Sequence, residues 1–84
     1  MESNGLYSTT DLFSASIIRA SGIPLIDMVK SNRDSVSFVF KDDERICTRL
    51  IQSHWDRKLK LQTRLLFETL KELRTRVHDH VVQP

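Results

Sequence analysis

The chain has 84 residues, 39% of them hydrophobic and 29% charged, with a net charge of +2. This is room for one domain that buries roughly 60% of the surface its unfolded chain exposes, so a large enclosed active site is not expected. The single cysteine, Cys47, rules out a disulfide within one chain and points to a reducing, cytoplasmic setting, because small domains in oxidising compartments ordinarily carry several.

Residues 1–5 are polar and acidic, unlike the basic and then apolar start of a signal peptide, and are expected to form a disordered arm. The ordered domain is expected over 6–78, with a flexible tail at 79–84. Leu6 to Ser8 read as a short strand or extended arm. Ser8-Thr9-Thr10-Asp11 then offers oxygens to the free amides of a helix start, where Asp11 also meets the positive end of the helix dipole. In that first helix Phe13, Ile17 and Ala20 repeat at helical spacing, widened by Leu12 and Ser16, and Gly22 stands at the left-handed C-terminal position. Ile18 falls on the other side, unexplained by one buried face.

From Pro24 the period changes to two. Leu25, Asp27 and Val29 are expected on one side of a strand, Ile26, Met28 and Lys30 on the other. Val36, Phe38 and Phe40 alternate with Ser35 and Ser37 in a half-buried antiparallel strand, and Ser31-Asn32-Arg33-Asp34 joins the two runs, giving a β-hairpin across 25–40. No apolar run reaches the ~18 residues of a membrane span, and no membrane partner is expected.

Lys41-Asp42-Asp43-Glu44 closes the strand and supplies caps for a second helix, in which Ile46, Cys47, Leu50, Ile51 and His54 share an arc with Trp55 at its margin. Arg57 to Gln62 alternates like a short edge strand, and Thr63 is placed to cap a third helix; one unbroken helix over 43–77 is the alternative. In the third helix Leu66, Leu70, Leu73 and Val77 form the stripe, flanked by Leu65 and Phe67, an arc of about 200° against the ~100° that a surface helix buries. The order of elements gives an α+β fold, with a small antiparallel sheet built on the central hairpin and packed against three helices. Phe13, Ile17, Val36, Phe38, Phe40, Cys47, Leu50, Ile51, Leu66, Leu70 and Leu73 are the expected core.

The catalytic and metal templates lack parts. His78-Asp79-His80 provides too few ligands on one side of a helix or strand for a closed zinc site. His54 reads as a boundary imidazole, Cys47 as a small packed hydrophobe, and Asp42-Asp43-Glu44 as caps in preference to a magnesium site. Two glycines, Gly5 and Gly22, cannot assemble a phosphate loop. No enzyme activity, cofactor, metal or small-molecule substrate is expected.

Charge is the remaining signal. Residues 1–43 hold four basic and six acidic side chains, residues 44–84 nine and five. Arg45, Arg49, Arg57, Lys58, Lys60 and Arg64, with Trp55 available to stack on a base, form a patch suited to RNA or DNA backbone; the competing account is a solvated surface. The expected function is a nucleic-acid-associated accessory protein. The rival is a protein-interaction module, a homodimer or a subunit of a larger assembly, that uses Ile18 on the first helix with Leu65 and Phe67 beside the stripe of the third.

The segments Ser8-Thr9-Thr10-Asp11-Leu12, the Gly22 turn, Val36-Ser37-Phe38-Val39-Phe40 with Lys41-Asp42-Asp43, and Leu70-Lys71-Glu72-Leu73 resemble a small bacterial and phage-associated family known only as a domain of unknown function. The similarity spans Leu6 to Val77. It implies a compact intracellular module carried by mobile elements and transfers no catalytic residues.

Overall fold

A computed structural model describes residues 5–30, 35–42 and 44–82, with side chains as far as Asp79. The turn expected at 31–34, the cap candidate Asp43, residues 1–4 of the expected arm and the last two residues lie outside the described residues. The elements are β1 (Leu6–Thr9), α1 (Leu12–Ala20), β2 (Leu25–Lys30), β3 (Val36–Lys41), α2 (Ile46–Trp55) and α3 (Thr63–Val82). Three helices and a three-stranded antiparallel sheet make the fold α+β, and no helix among the described residues is long and apolar enough to cross a membrane.

The sheet order is β1-β3-β2, so β3 is paired on both sides. Its alternation is the one the sequence gives: Val36, Phe38 and Phe40 are buried, while Ser37 and Val39 are only half-buried. The N-terminal segment is a full strand, with Tyr7 opposite Phe40 and Thr9 opposite Phe38. In β2 the expected faces change phase. Leu25 pairs with Phe40 and Asp27 with Val39, leaving Ile26 as an extra residue in a β-bulge. Asp27 stabilises it, its Oδ1 accepting the Met28 amide at 2.8 Å. The bulge brings both Leu25 and Met28 to the core side and leaves Ile26 and Val29 exposed.

Helix α1 begins where Asp11 accepts the Ser14 amide at 3.1 Å and the Ser14 hydroxyl at 2.6 Å. It ends in a left-handed turn at Gly22 (φ 100°), where the Gly22 amide reaches the Arg19 carbonyl and the Ile23 amide reaches that of Ile18. Four consecutive residues, Ala15, Ser16, Ile17 and Ile18, are buried, and at 100° each they enclose the middle of the helix almost completely. Ala15 and Ile18 join Met28, Val36, Phe38, Phe40, Cys47 and Leu73 in one core against the sheet. Ile18 is therefore a core residue with no exposed surface, not part of an interface, and Phe13 is 60% exposed, not part of the core. Ile17 is buried beside α3, and Ile51 is half-buried against the core; Leu50, Leu66 and Leu70, expected in the core, are half-buried outside it, the last two on the surface between α1 and α3.

Helices α2 and α3 are separate. Residues 57–62 form no strand; Leu59 and Leu61 are half-buried in an irregular connection, which accounts for the alternation without a sheet edge. Thr63 lies inside α3, whose first turn closes one residue earlier, from the Leu66 amide to the Gln62 carbonyl. The helix runs on to Val82, through part of the segment expected as a tail.

Phe38, 1% exposed on the central strand, and Phe13 make a matched pair. Phe38→Ala should lower unfolding free energy by about 3–5 kcal/mol, and Phe13→Ala by under about 1 kcal/mol. Denaturant unfolding of the two variants measures both, and equal losses would contradict this placement of the core.

Candidate functional site

Burying α1 between the sheet and α3 leaves a furrow where the start of α1, the end of α2 and the first half of α3 meet. It encloses about 550 Å³ and is lined from α1 by Phe13, Ser16 and Ile17, from α2 by His54 and Trp55, and from α3 by Leu66, Phe67 and Leu70. Each helix contributes one large aromatic ring left mostly in solvent: Phe13 at 60%, Trp55 at 73% and Phe67 at 65% exposure. The His54 and Trp55 rings meet edge to face, 5.3 Å between centroids, so Trp55 stands off the helix end against a partner ring. His54 is accordingly an exposed wall of the furrow, not a boundary imidazole under it.

Asp11, Ser14 and Ser16, which line this furrow, are engaged in the fold. Asp11 accepts from Ser14, and the Ser16 hydroxyl donates to the Leu12 carbonyl at 2.8 Å. The Ser14 hydroxyl holds the Asp11 carboxyl below its ordinary pKa; burial opposes this, and the Ser14 and Phe13 amides and the nearby His54 add smaller lowering effects. The surface presented is thus largely hydrocarbon and aromatic, with few groups free to orient a small molecule.

The basic residues do not form one patch. Arg45 and Arg49 are at the start of α2, with Arg49 Nη2 donating to the Glu44 carbonyl at 2.7 Å. Trp55 is at its other end, about 15 Å along the axis from Arg45 and about 9 Å from Arg49 at 1.5 Å per residue. Arg57, Lys58 and Lys60 follow Trp55 in the connection, all exposed and without an ion-pair partner among the described residues. Arg64 is engaged with Glu68 at 3.1 Å. Arg57 holds a left-handed backbone (φ 62°) at the position that ends α2, its amide bonded to the His54 carbonyl and the Lys58 amide to that of Ser53. Glycine is the usual occupant of that position, and an arginine there costs about 1–2 kcal/mol.

The expected apolar interface also divides. Phe67 is on the furrow, Leu65 lies in a second, smaller depression with Arg19, Gly22 and Glu72, and Ile18 is internal. Sequence reasoning missed Phe13 as a surface residue; the available signal was that α1 carries apolar residues on more than one side.

Cys47 has no exposed surface, and its thiol is pushed up to about 12, first by burial and then by the Asp42 carboxylate beside it. Asp42 is buried as well: its Oδ1 accepts the Cys47 amide at 3.0 Å and its amide donates to the Gly5 carbonyl at 2.6 Å. This carboxylate caps α2 from four residues before its first residue, Ile46. Tyr7 is likewise held above its ordinary value, by burial first and then by Cys47, Asp42 and Asp11. Neither thiol nor phenol ionises near neutral pH. Among the described residues no three His, Cys, Asp or Glu side chains are grouped to hold a metal ion.

No family model, curated protein or solved structure matches this chain, so its functional reading rests on its own residues.

Two measurements test this description. A carboxyl depressed on folding stabilises the fold fully above its unfolded value, and that contribution is lost as pH falls through the lower folded value. Asp11→Ala should therefore cost about 1 kcal/mol at neutral pH and converge with the parent in acid. Cys47 should react with a disulfide reagent at pH 8 only as fast as the protein opens; rapid labelling of the native state would contradict its burial.

Proposed function

We propose that the protein is a non-enzymatic protein-binding module whose working surface is the furrow between α1, α2 and α3. The observation that carries this is the convergence of Phe13, Trp55 and Phe67, one from each helix, as large rings left in solvent around a single concave apolar surface. Single exposed hydrophobes are ordinary on a protein surface, but three aromatic rings on one groove form the kind of contiguous patch that marks an interaction site. Trp, Tyr and Phe are also the residues most enriched in the anchoring centres of interfaces. The core does not need these rings, since it closes around Phe38, Phe40, Ile18 and Leu73.

A second reading is supported by a different observation. Arg57, Lys58 and Lys60 are exposed and unpaired among the described residues beside Trp55, an arrangement that suits nucleic-acid backbone with a stacked base. Arg45 lies at the far end of α2 and Arg49 near its middle, bonded to the Glu44 carbonyl, so they contribute less to such a contact than the sequence alone suggests. This reading predicts a gel shift with single-stranded probes that weakens steeply between low and physiological salt, and an absent shift at the lowest salt removes it.

For the groove, a random peptide library selected against the parent protein gives the direct test. The expected outcome is a set of peptides rich in apolar residues that lose affinity for a Phe13→Ala/Phe67→Ala variant whose circular dichroism and melting are unchanged. Peptides that bind the double variant as well as the parent would place the working surface elsewhere.

A further inference from the structure

Resting on the groove as the working surface, we infer that its occupant is an acidic amphipathic helix of a partner protein. Two independent features argue for this, one about backbone hydrogen bonds and one about charge.

The groove is made of three helices, whose backbone amides and carbonyls are used within the helices themselves. An extended segment laid into it would bring its own unpaired amides and carbonyls against Ile17, Leu66, Phe67 and Leu70, at the cost of leaving them without partners. A helix arrives with these groups already satisfied and presents apolar residues at i, i+3, i+4 and i+7. Strand addition would instead need a sheet edge, and no strand lines this surface.

The charge around the groove is segregated. At 100° per residue, Arg74 lies within about 20° of Phe67 around the axis of α3, in the sector between Leu70 and Phe67, and Lys71 lies about 40° to the other side. Glu68, Glu72 and Asp79 lie about 100–140° away, on a different flank of the same helix. Lys71 and Arg74 are exposed and without an ion-pair partner among the described residues, whereas Glu68 and Glu72 engage Arg64 and Arg76. On the Trp55 side of the groove Arg57 and Lys58 follow after Asp56, again exposed and without an ion-pair partner among the described residues. Two carboxylates stand nearby and keep their charge, Asp11 as the cap of α1 and Asp56 accepting from Gln52 at 3.2 Å, and the four cations outnumber them. An apolar floor therefore lies between cations on the α3 side and on the Trp55 side, and the complementary helix carries glutamate or aspartate beside its apolar stripe. A second copy of this chain fits poorly, because a two-fold contact through this groove sets the same basic rim against itself.

Two peptides of about 18 residues, five turns of helix, provide the probe. They share leucines at i, i+3, i+4 and i+7 and differ only in carrying glutamate or lysine on the polar face. Binding is read from the fluorescence of Trp55, the only tryptophan in the chain and itself on the groove. The glutamate peptide should bind at least about tenfold more tightly at low salt, with the margin narrowing as salt is raised. A Lys71→Glu/Arg74→Glu variant should reverse the preference. Equal binding of the two peptides would leave the groove as a docking surface and overturn the acidic partner. No binding of either peptide, with Trp55 emission unchanged, would overturn both. Displacement of the glutamate peptide by a single-stranded oligonucleotide, lost in Phe67→Ala, would assign the groove to nucleic acid instead.

Discussion

The enclosure of α1 governs the rest of the molecule. An 84-residue chain with a three-stranded sheet has one apolar sheet face to cover, and here α1 covers it with Ala15 and Ile18 while α3 brings Leu73 into the same core. Ala15 and Ser16 are small, which suits close packing on the crowded sides, and the Ser16 hydroxyl is satisfied by its own helix through Leu12. Because the middle turn of α1 is committed in all directions, only its two ends are left to meet solvent, and the large apolar side chain exposed there is in the first turn. That turn carries Phe13. The groove is thus the residue of a packing problem: α2 and α3 flank the start of α1 without closing over it.

The same constraint explains what could be read from the sequence. β3 was legible because a strand buried on one face has a period of two, and Val36, Phe38 and Phe40 obey it. The caps were legible because they depend on local chemistry, as at Asp11 and Gly22. The inward face of α1 was not, since a helix with neighbours on several sides has no single stripe; choosing Phe13 and setting aside Ile18 follows from assuming one. The bulge at Ile26 leaves no mark in a period-of-two pattern, yet it exchanges the roles of the residues around it. The alternation of Leu59 and Leu61 looks like a strand but reflects a connection pressed against the domain.

The candidate site was half legible. Trp55 and Phe67 stood out at the margins of their helical arcs, and the cations after Trp55 stood out because Asp56 is the one acidic residue among them. What the sequence hides is that Phe13, far away in the chain, completes a surface with them, and that Leu65 faces a different depression from Phe67. Convergence of distant residues is a property of packing, and no local pattern encodes it.

The way α2 is attached has a dynamic consequence. Its ten residues include one fully buried side chain, Cys47, and both flanking positions, Arg45 and Arg57, hold left-handed backbone without being glycine. Strain at both ends and a thin anchor make this helix the part of the domain that opens at least cost, ahead of the sheet and of α1. Its amides should exchange with solvent through sub-global openings that leave the core intact. Since His54 and Trp55 sit at its end, one wall of the groove rides on that equilibrium, and a bound partner would be felt as slower exchange along α2 well beyond the residues it touches.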